Sequence, residues 1–232
     1  MSNTPVVTAY THAFIRSALP AEARSLLEIG CGDGELAKRL LGDGFEVTAV
    51  DTDPACVAAA KGRGVDARLI EWPAELVRQF DAILFTRSLH HVHDLAGAVS
   101  AAARALKPGG RVIVEDFRAE GGSRRASDWY EAVVHELLAG GALADGVDAE
   151  GLLGKLPLAL HDGHELHSST AIQVALEREF AVAASDAAYY FRYLEPHLRE
   201  VGAAQWLLDI ELEQIEASDI DALGKRFVAS LR

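Results

Sequence analysis

The chain has 232 residues, half of them hydrophobic and a quarter charged, which suits one α/β domain with an added segment. Its 35 acidic and 22 basic side chains give a net charge of −13, and the longest basic cluster is Arg124-Arg125, so a surface built for DNA or large RNA is not expected. No apolar run approaches the roughly 18–20 residues that span a bilayer; residues 1–10 lack the pattern of a signal peptide, and Cys31 and Cys56 give no disulfide framework. The expectation is a cytoplasmic protein, monomer or homodimer, with no nucleic-acid or membrane partner.

From Leu26 to Phe117 short apolar runs alternate with helical patterns, the mark of βαβ units and a parallel sheet. Ser25–Ile29 reads as the first strand and Glu46–Asp51 as the second. Between them Leu36, Ala37, Leu40 and Leu41 recur with helical spacing, ended by Gly42 and Gly44. Asp53-Pro54 opens the next helix, with aspartate as cap and proline at the first helical position, and Gly62 and Gly64 close it. Ala67–Ile70, Phe80–Thr86 and Arg111–Phe117 read as further strands. The helix before the last of these is capped by Asp94 and carries Leu95, Ala98, Val99, Ala102 and Leu106 on one face. Lys107-Pro108-Gly109-Gly110 then predicts a turn.

After Phe117 the alternation stops. Residues 118–168 hold a helix from about Ser127 to Leu138, two Gly-Gly pairs and a histidine-bearing loop, and an excursion of this length reads as a lid. Ala171–Glu179 reads as a helix, Phe180–Ser185 as a sixth strand and Pro196 to about Ala217 as a helix. The last residues fit either period; Gly224 favours a final strand at about Lys225–Leu231.

The chemistry concentrates in Leu26-Leu27-Glu28-Ile29-Gly30-Cys31-Gly32-Asp33-Gly34, where glycines follow a strand and precede a helix. Such a bend lets the backbone approach a ligand. Asp51, at the end of the second strand, offers a carboxylate to two ribose hydroxyls. A dinucleotide fingerprint needs glycine where this chain has Glu35, and a negative side chain at the helix start opposes a pyrophosphate. A nucleoside cofactor without phosphate meets no such obstacle, and a nicotinamide-dependent oxidoreductase is disfavoured.

Four segments together resemble the class I S-adenosylmethionine-dependent methyltransferases, especially those with small-molecule acceptors. They are Leu27 to Gly34; Val47-Thr48-Ala49-Val50-Asp51-Thr52-Asp53-Pro54; Phe80-Asp81-Ala82-Ile83 with Ser88-Leu89-His90-His91-Val92; and Leu106-Lys107-Pro108-Gly109-Gly110-Arg111-Val112. The resemblance covers roughly residues 22–117. It implies an α/β, doubly wound, mostly parallel seven-stranded sheet with a helical lid insertion. The parts would be an N-terminal helical cap (1–20), a cofactor-binding core (21–117), the insertion (118–168) and the rest of the core (169–232). It also implies methyl transfer from S-adenosylmethionine, with S-adenosylhomocysteine as product, to an O, N or C atom of a small molecule. A non-catalytic cofactor-binding or interaction protein of the same fold is the alternative.

By the same resemblance the cofactor-binding residues are Glu28, Gly30, Cys31, Gly32, Asp51, Thr52, Glu71, Trp72 and Thr86. Gly30 and Gly32 would line the methionine part, Asp51 hold the ribose, and Glu71 and Trp72 meet the adenine; an exposed glutamate and a core tryptophan are the other reading of the last two. Thr86 would lie near the methionine amino group. His91 would stand beside the pocket, to orient an acceptor or take its proton, or else serve as a structural histidine. His90, His91, His93 and Asp94 are too closely spaced for a zinc site, and no metal is expected. His135, His161, His164 and His167 read as solvated, and Tyr189-Tyr190-Phe191 with Tyr193 as either an aromatic wall or core.

Overall fold

A computed structural model describes residues 5–75, 79–119, 121–153 and 166–232. In chain order the elements are α1 (Val6–Ala18), β1 (Ser25–Ile29), α2 (Glu35–Gly42), β2 (Glu46–Asp51), α3 (Pro54–Gly62), β3 (Asp66–Leu69), β4 (Phe80–Thr86), α4 (Leu95–Ala105), β5 (Leu106–Phe117), α5 (Arg124–Ala139), α6 (Ala149–Leu153), α7 (Ser169–Glu179), β6 (Phe180–Ala187), α8 (Phe191–Leu194), α9 (Val201–Glu216) and β7 (Gly224–Leu231). The strands form one seven-stranded sheet in the order β3-β2-β1-β4-β5-β7-β6, and the pairings β1–β2, β1–β4, β2–β3 and β4–β5 are parallel. This is the doubly wound, mostly parallel architecture that the alternation implies.

Side-chain alternation along the central strands explains the layering. Leu27, Ile29, Ile83, Phe85, Val112 and Val114 join a core that includes α4 and α7 residues such as Val99, Ala102, Ile172 and Leu176. Leu26, Ala49, Ala82, Leu84 and Ile113 join a second core with Ile15, Leu36, Leu40 and Val57 from α1, α2 and α3. Each central strand is therefore buried on both faces, which is why its sequence reads as a continuous apolar run.

The predicted caps are formed. Asp53 accepts from the Ala55 N–H at 2.7 Å and Asp94 from the Gly97 N–H at 2.9 Å. Three details differ from expectation. Lys107–Gly110 is an irregularity within β5: Phe80 faces Leu106 and Ala82 faces Arg111, so the residues between loop out of the ladder. α5 begins at Arg124, earlier than Ser127, because Ser123 caps it by accepting from the Ala126 N–H at 3.3 Å. The helix expected from Pro196 starts only at Val201: Pro196 lies in a single 3-10 turn, Glu195–His197, after which the Ala144 N–H donates to His197 O at 2.8 Å and the Arg199 N–H to Ala142 O at 2.9 Å, which holds Leu198 in a bridge with Leu143.

The chain divides into two compact units. One comprises residues 11–116, 167–185 and 226–232; the other comprises the described residues of 1–10, 117–166 and 186–225. The second unit has its own core, in which Tyr130, Tyr190, Phe191, Leu207 and Leu223 are buried. Within it Glu211 accepts from the backbone N–H groups of Tyr189, Tyr190 and Phe191 at 2.5, 3.0 and 2.9 Å, tying α9 to the start of α8. Among the described residues no helix is long and apolar enough to cross a membrane.

Candidate active site

The loop after β1 is bent by its hydrogen bonds and its glycines. The Gly30 and Cys31 N–H groups both donate to Val50 O, at 2.9 and 3.1 Å, folding the chain over the tip of β2. Gly30 has φ +73°, and a Cβ there would stand 2.4 Å from the Cβ of Ser88. A side chain at this position would push the tips of β1 and β4 apart. Gly32 differs: it also has a positive φ, but a Cβ there would meet nothing within 4 Å, since Gly32 borders an open cleft.

Asp51 joins this loop to β2. Its Oδ2 accepts from the Gly32 N–H at 2.8 Å and its Oδ1 from the Asp53 N–H at 2.9 Å. A carboxylate has about four acceptor positions, so Asp51 is fixed in orientation and keeps acceptor capacity for a ligand. Around it lies a cleft of about 430 Å³ at the carboxyl ends of β1 to β4. This is where the strand order reverses, between β1 and β4, the usual crevice of open α/β sheets. Ile29, Val50 and Ile70 contribute apolar wall, and Asp51, Thr52, Glu71, Arg87 and His91 are among the polar groups.

Of the residues singled out from sequence, Gly30, Gly32, Asp51, Thr52, Glu71, Trp72 and His91 line this one cleft. Glu71 is exposed; Trp72 is buried, and its indole N–H donates to Ala98 O at 3.1 Å. Glu28, Cys31 and Thr86 are buried and do not line it. Glu28, 1% exposed, accepts from the Thr86 hydroxyl at 3.4 Å through Oε1, while its Oε2 has no hydrogen-bond partner among the described residues. Burial pushes the Glu28 carboxyl up to about 8, against the opposing pull of the Arg87 guanidinium and the Thr86 hydroxyl, so it is mostly protonated at neutral pH. Burial, with Glu28 and Asp51 nearby, raises the Cys31 thiol to about 12, which rules out a thiolate there at neutral pH.

His91 is exposed at the cleft, whereas its neighbour His90 is buried. His90 Nδ1 lies 2.6 Å from Asp116 Oδ1, the His90 N–H donates to Asp116 Oδ2 at 3.3 Å, and the two histidine rings are 4.0 Å apart. His167, expected to be solvated, instead donates from Nε2 to Val92 O at 2.8 Å. This bond and the His90–Asp116 pair hold the turn that carries His91. His135 is exposed; His161 and His164 lie outside the described residues. Tyr189, Tyr190 and Phe191 pack within the second unit's core, with Tyr189 against Phe117 (5.2 Å between ring centres) and Tyr190 against Trp129 (5.9 Å).

Comparison with known proteins gives this geometry its context. A family model described as a methyltransferase domain matches residues 8–178. The chain belongs to that family, the class I S-adenosylmethionine-dependent methyltransferases. The chain is 31% identical over 170 residues to a ubiquinone biosynthesis O-methyltransferase of Methylobacterium nodulans, covering 70% of the chain and 61% of the relative. It is 37% identical over 150 residues to a protein of the same name from Alkalilimnicola ehrlichii, covering 61% and 53%. The chain thus spans only about half to three fifths of the length of these relatives. Among solved structures, an S-adenosylmethionine-dependent methyltransferase from Mesorhizobium loti aligns over 94% of the chain and 96% of its own, with a TM-score of 0.60 at 17% identity. The [4+2]-cyclase SpnF aligns over 96% and 80%, with a TM-score of 0.58 at 19% identity. These two likenesses bear on the fold alone.

One electrostatic premise of the sequence reading changes. Glu35 does not stand as an uncompensated charge at the start of α2, because Arg63 Nη1 lies 2.8 Å from its Oε2 and Arg63 also pairs with Asp33 at 2.7 Å. The case against a bound pyrophosphate therefore rests on the missing glycine. Sequence reasoning also missed Arg87, Ser88 and the apolar wall. Ile29, Val50 and Ile70 carry no signal beyond ordinary strand ends, and nothing in the spacing around Arg87 marks it as a cleft residue.

Proposed function

We propose that the protein transfers the methyl group of S-adenosylmethionine to a nucleophilic atom of a small molecule, with oxygen the first atom to try given the names of its relatives. The observation that carries the reading is the Asp51 carboxylate, held by the Gly32 N–H at 2.8 Å inside the cleft that the glycine loop borders.

The residues present fit the cofactor. The cleft volume lies in the range of small-molecule sites. Its open face at Gly32 admits a ligand against the backbone, and Asp51 can accept from both ribose hydroxyls. Glu71 and the backbone at Trp72 would meet the adenine, and Gly30 and Gly32 the methionine part. Glu28 and Thr86 would act from beneath on the amino group. When bound, the cofactor supplies an electrophilic methyl carbon on a good leaving group. The chain's own work is then to orient the acceptor and exclude water. Ile29, Val50 and Ile70 provide dry wall, and His91 orients an acceptor hydroxyl or takes its proton. Acceptor choice is assigned to residues 118–168 and the N-terminal segment, and the working form is a cytoplasmic monomer or homodimer without a nucleic-acid partner.

The test is release of S-adenosylhomocysteine from S-adenosylmethionine with a panel of phenols, amines and enols. Acceptor-dependent release that falls at least tenfold in His91→Ala is the expected result. Cofactor binding with no product from any acceptor would favour the non-catalytic alternative.

A further inference from the structure

The helical unit carries a groove that methyl transfer leaves unused. It lies between the end of α5 and the start of α9, and its volume is about 370 Å³, within the range of small-molecule sites. Leu137 and Ala142 line one side, Ala203 and Trp206 the other. Residues 203 and 206 are neighbours on one face of α9, while Ala204, Leu207 and Leu208 are buried in the unit. Trp206 is 42% exposed, and of the chain's three tryptophans it alone is exposed. Backbone bonds tie the two sides together: the Ala142 N–H donates to Leu137 O and the Arg199 N–H to Ala142 O, both at 2.9 Å. The groove is therefore formed before anything enters it.

Its charge decides what fits. Glu136 and Glu200 stand on the lining and are exposed, and neither carboxylate takes part in an ion pair or hydrogen bond among the described residues. Arg199, next to Glu200 in the chain, is committed instead to Asp145 and to Leu143 O. Glu200 is the N-cap residue of α9, yet its side chain makes no cap bond. Glu136 lies in the last turn of α5, where no basic side chain offsets the negative end of the helix. No Lys or Arg lines the groove among the described residues. Gly202 keeps it open. A Cβ there would meet nothing within 4 Å, so a side chain is sterically allowed, and glycine costs the helix stability.

We infer that this groove binds a small organic ammonium ion, a primary amine on an aromatic or alkyl body. The ammonium meets the two carboxylates and the indole face of Trp206, and the body covers Leu137, Ala142 and Ala203. Every residue of the groove belongs to the helical unit. The site therefore stands or falls apart from the methyl-transfer reading.

The test titrates phenethylammonium into the full chain at neutral pH, with 2-phenylethanol as the uncharged control. Binding is read by calorimetry and by intrinsic fluorescence. The variants are Trp206→Leu, Gly202→Leu and the double variant Glu136→Gln, Glu200→Gln, with melting curves confirming that each is folded. Gly202→Leu fills the groove at a helical position that leucine favours, and it is expected to abolish binding. The double variant is expected to bind the ammonium about threefold to tenfold more weakly, as for exposed charge pairs. The alcohol should bind wild type more weakly than the ammonium by about tenfold. The fluorescence change should vanish in Trp206→Leu. Alcohol bound as tightly as ammonium, or ammonium affinity unchanged in the double variant or in Gly202→Leu, overturns the inference. So does a fluorescence change that persists in Trp206→Leu, or wild-type protein that shows no saturable binding. Self-association of the wild type, lost in Gly202→Leu and without ammonium binding, would give the groove to a second copy and overturn the inference as well.

Discussion

Two buried carboxyls, one in each unit, show how differently the two halves of this chain use polar groups. Glu211, in the helical unit, is fully buried and satisfied by three backbone N–H donors. Glu28, in the sheet unit, is equally buried but has one long hydrogen bond from Thr86 and an Oε2 with no partner among the described residues. Burial raises both, Glu211 to about 7 and Glu28 to about 8, and the donors around Glu211 oppose the shift. A carboxyl surrounded by donors is a structural tie. One left with an oxygen that has no partner among the described residues is not such a tie, and its part in binding is the proposal made above.

The sharpest way to break this contrast is to remove the tie. Glu211→Ala strands three buried N–H groups, each costing about 1–3 kcal/mol, so a loss of at least about 3 kcal/mol in urea unfolding is expected. S-adenosylhomocysteine affinity of the folded protein should stay within about twofold. A large affinity loss there would erase the distinction between the units. Gly30→Ala comes next. The clash with Ser88 and the positive φ are expected to cost about 2–3 kcal/mol by thermal or urea melts and to weaken nucleoside binding at least tenfold. Stability lost with binding intact would mean that the loop is only a turn.

The smallest effect is a pH dependence. Glu28 binds its proton more tightly in the folded state (about 8) than the ordinary value of 4.5. Its contribution to stability is therefore greatest at acid pH, declines as pH rises from about 4.5 to 8, and then levels off. Glu28→Gln removes that decline. Its melting temperature relative to wild type should climb by several degrees between pH 5 and pH 9, and a flat difference would place the Glu28 titration elsewhere.

Much of the fold was legible because it rests on local rules. Asp53 and Asp94 cap their helices as read, and β1, β2 and β4 have their expected bounds, since strands buried on both faces need unbroken apolar runs. What escaped is non-local. Lys107–Gly110 has a turn's composition, but only the pairing of Ala82 with Arg111 makes it a bulge. The break at Leu198 depends on the bridge to Leu143. At the site, glycines and Asp51 announced themselves because close backbone approach and ribose binding call for those residue types. Ile29, Val50 and Ile70 are indistinguishable from core until the strand tips are aligned. A non-glycine residue forced to positive φ, as Arg87 is, has no signature in composition or spacing.

The most direct test is calorimetric titration of S-adenosylhomocysteine into wild-type protein and Asp51→Ala, with melting curves confirming that both are folded. Micromolar binding by the wild type and a loss of about a hundredfold or more in the variant is the expected result. A variant that binds as tightly as wild type would contradict the assignment of that carboxylate to the ribose, and with it the proposed seat of the methyl donor.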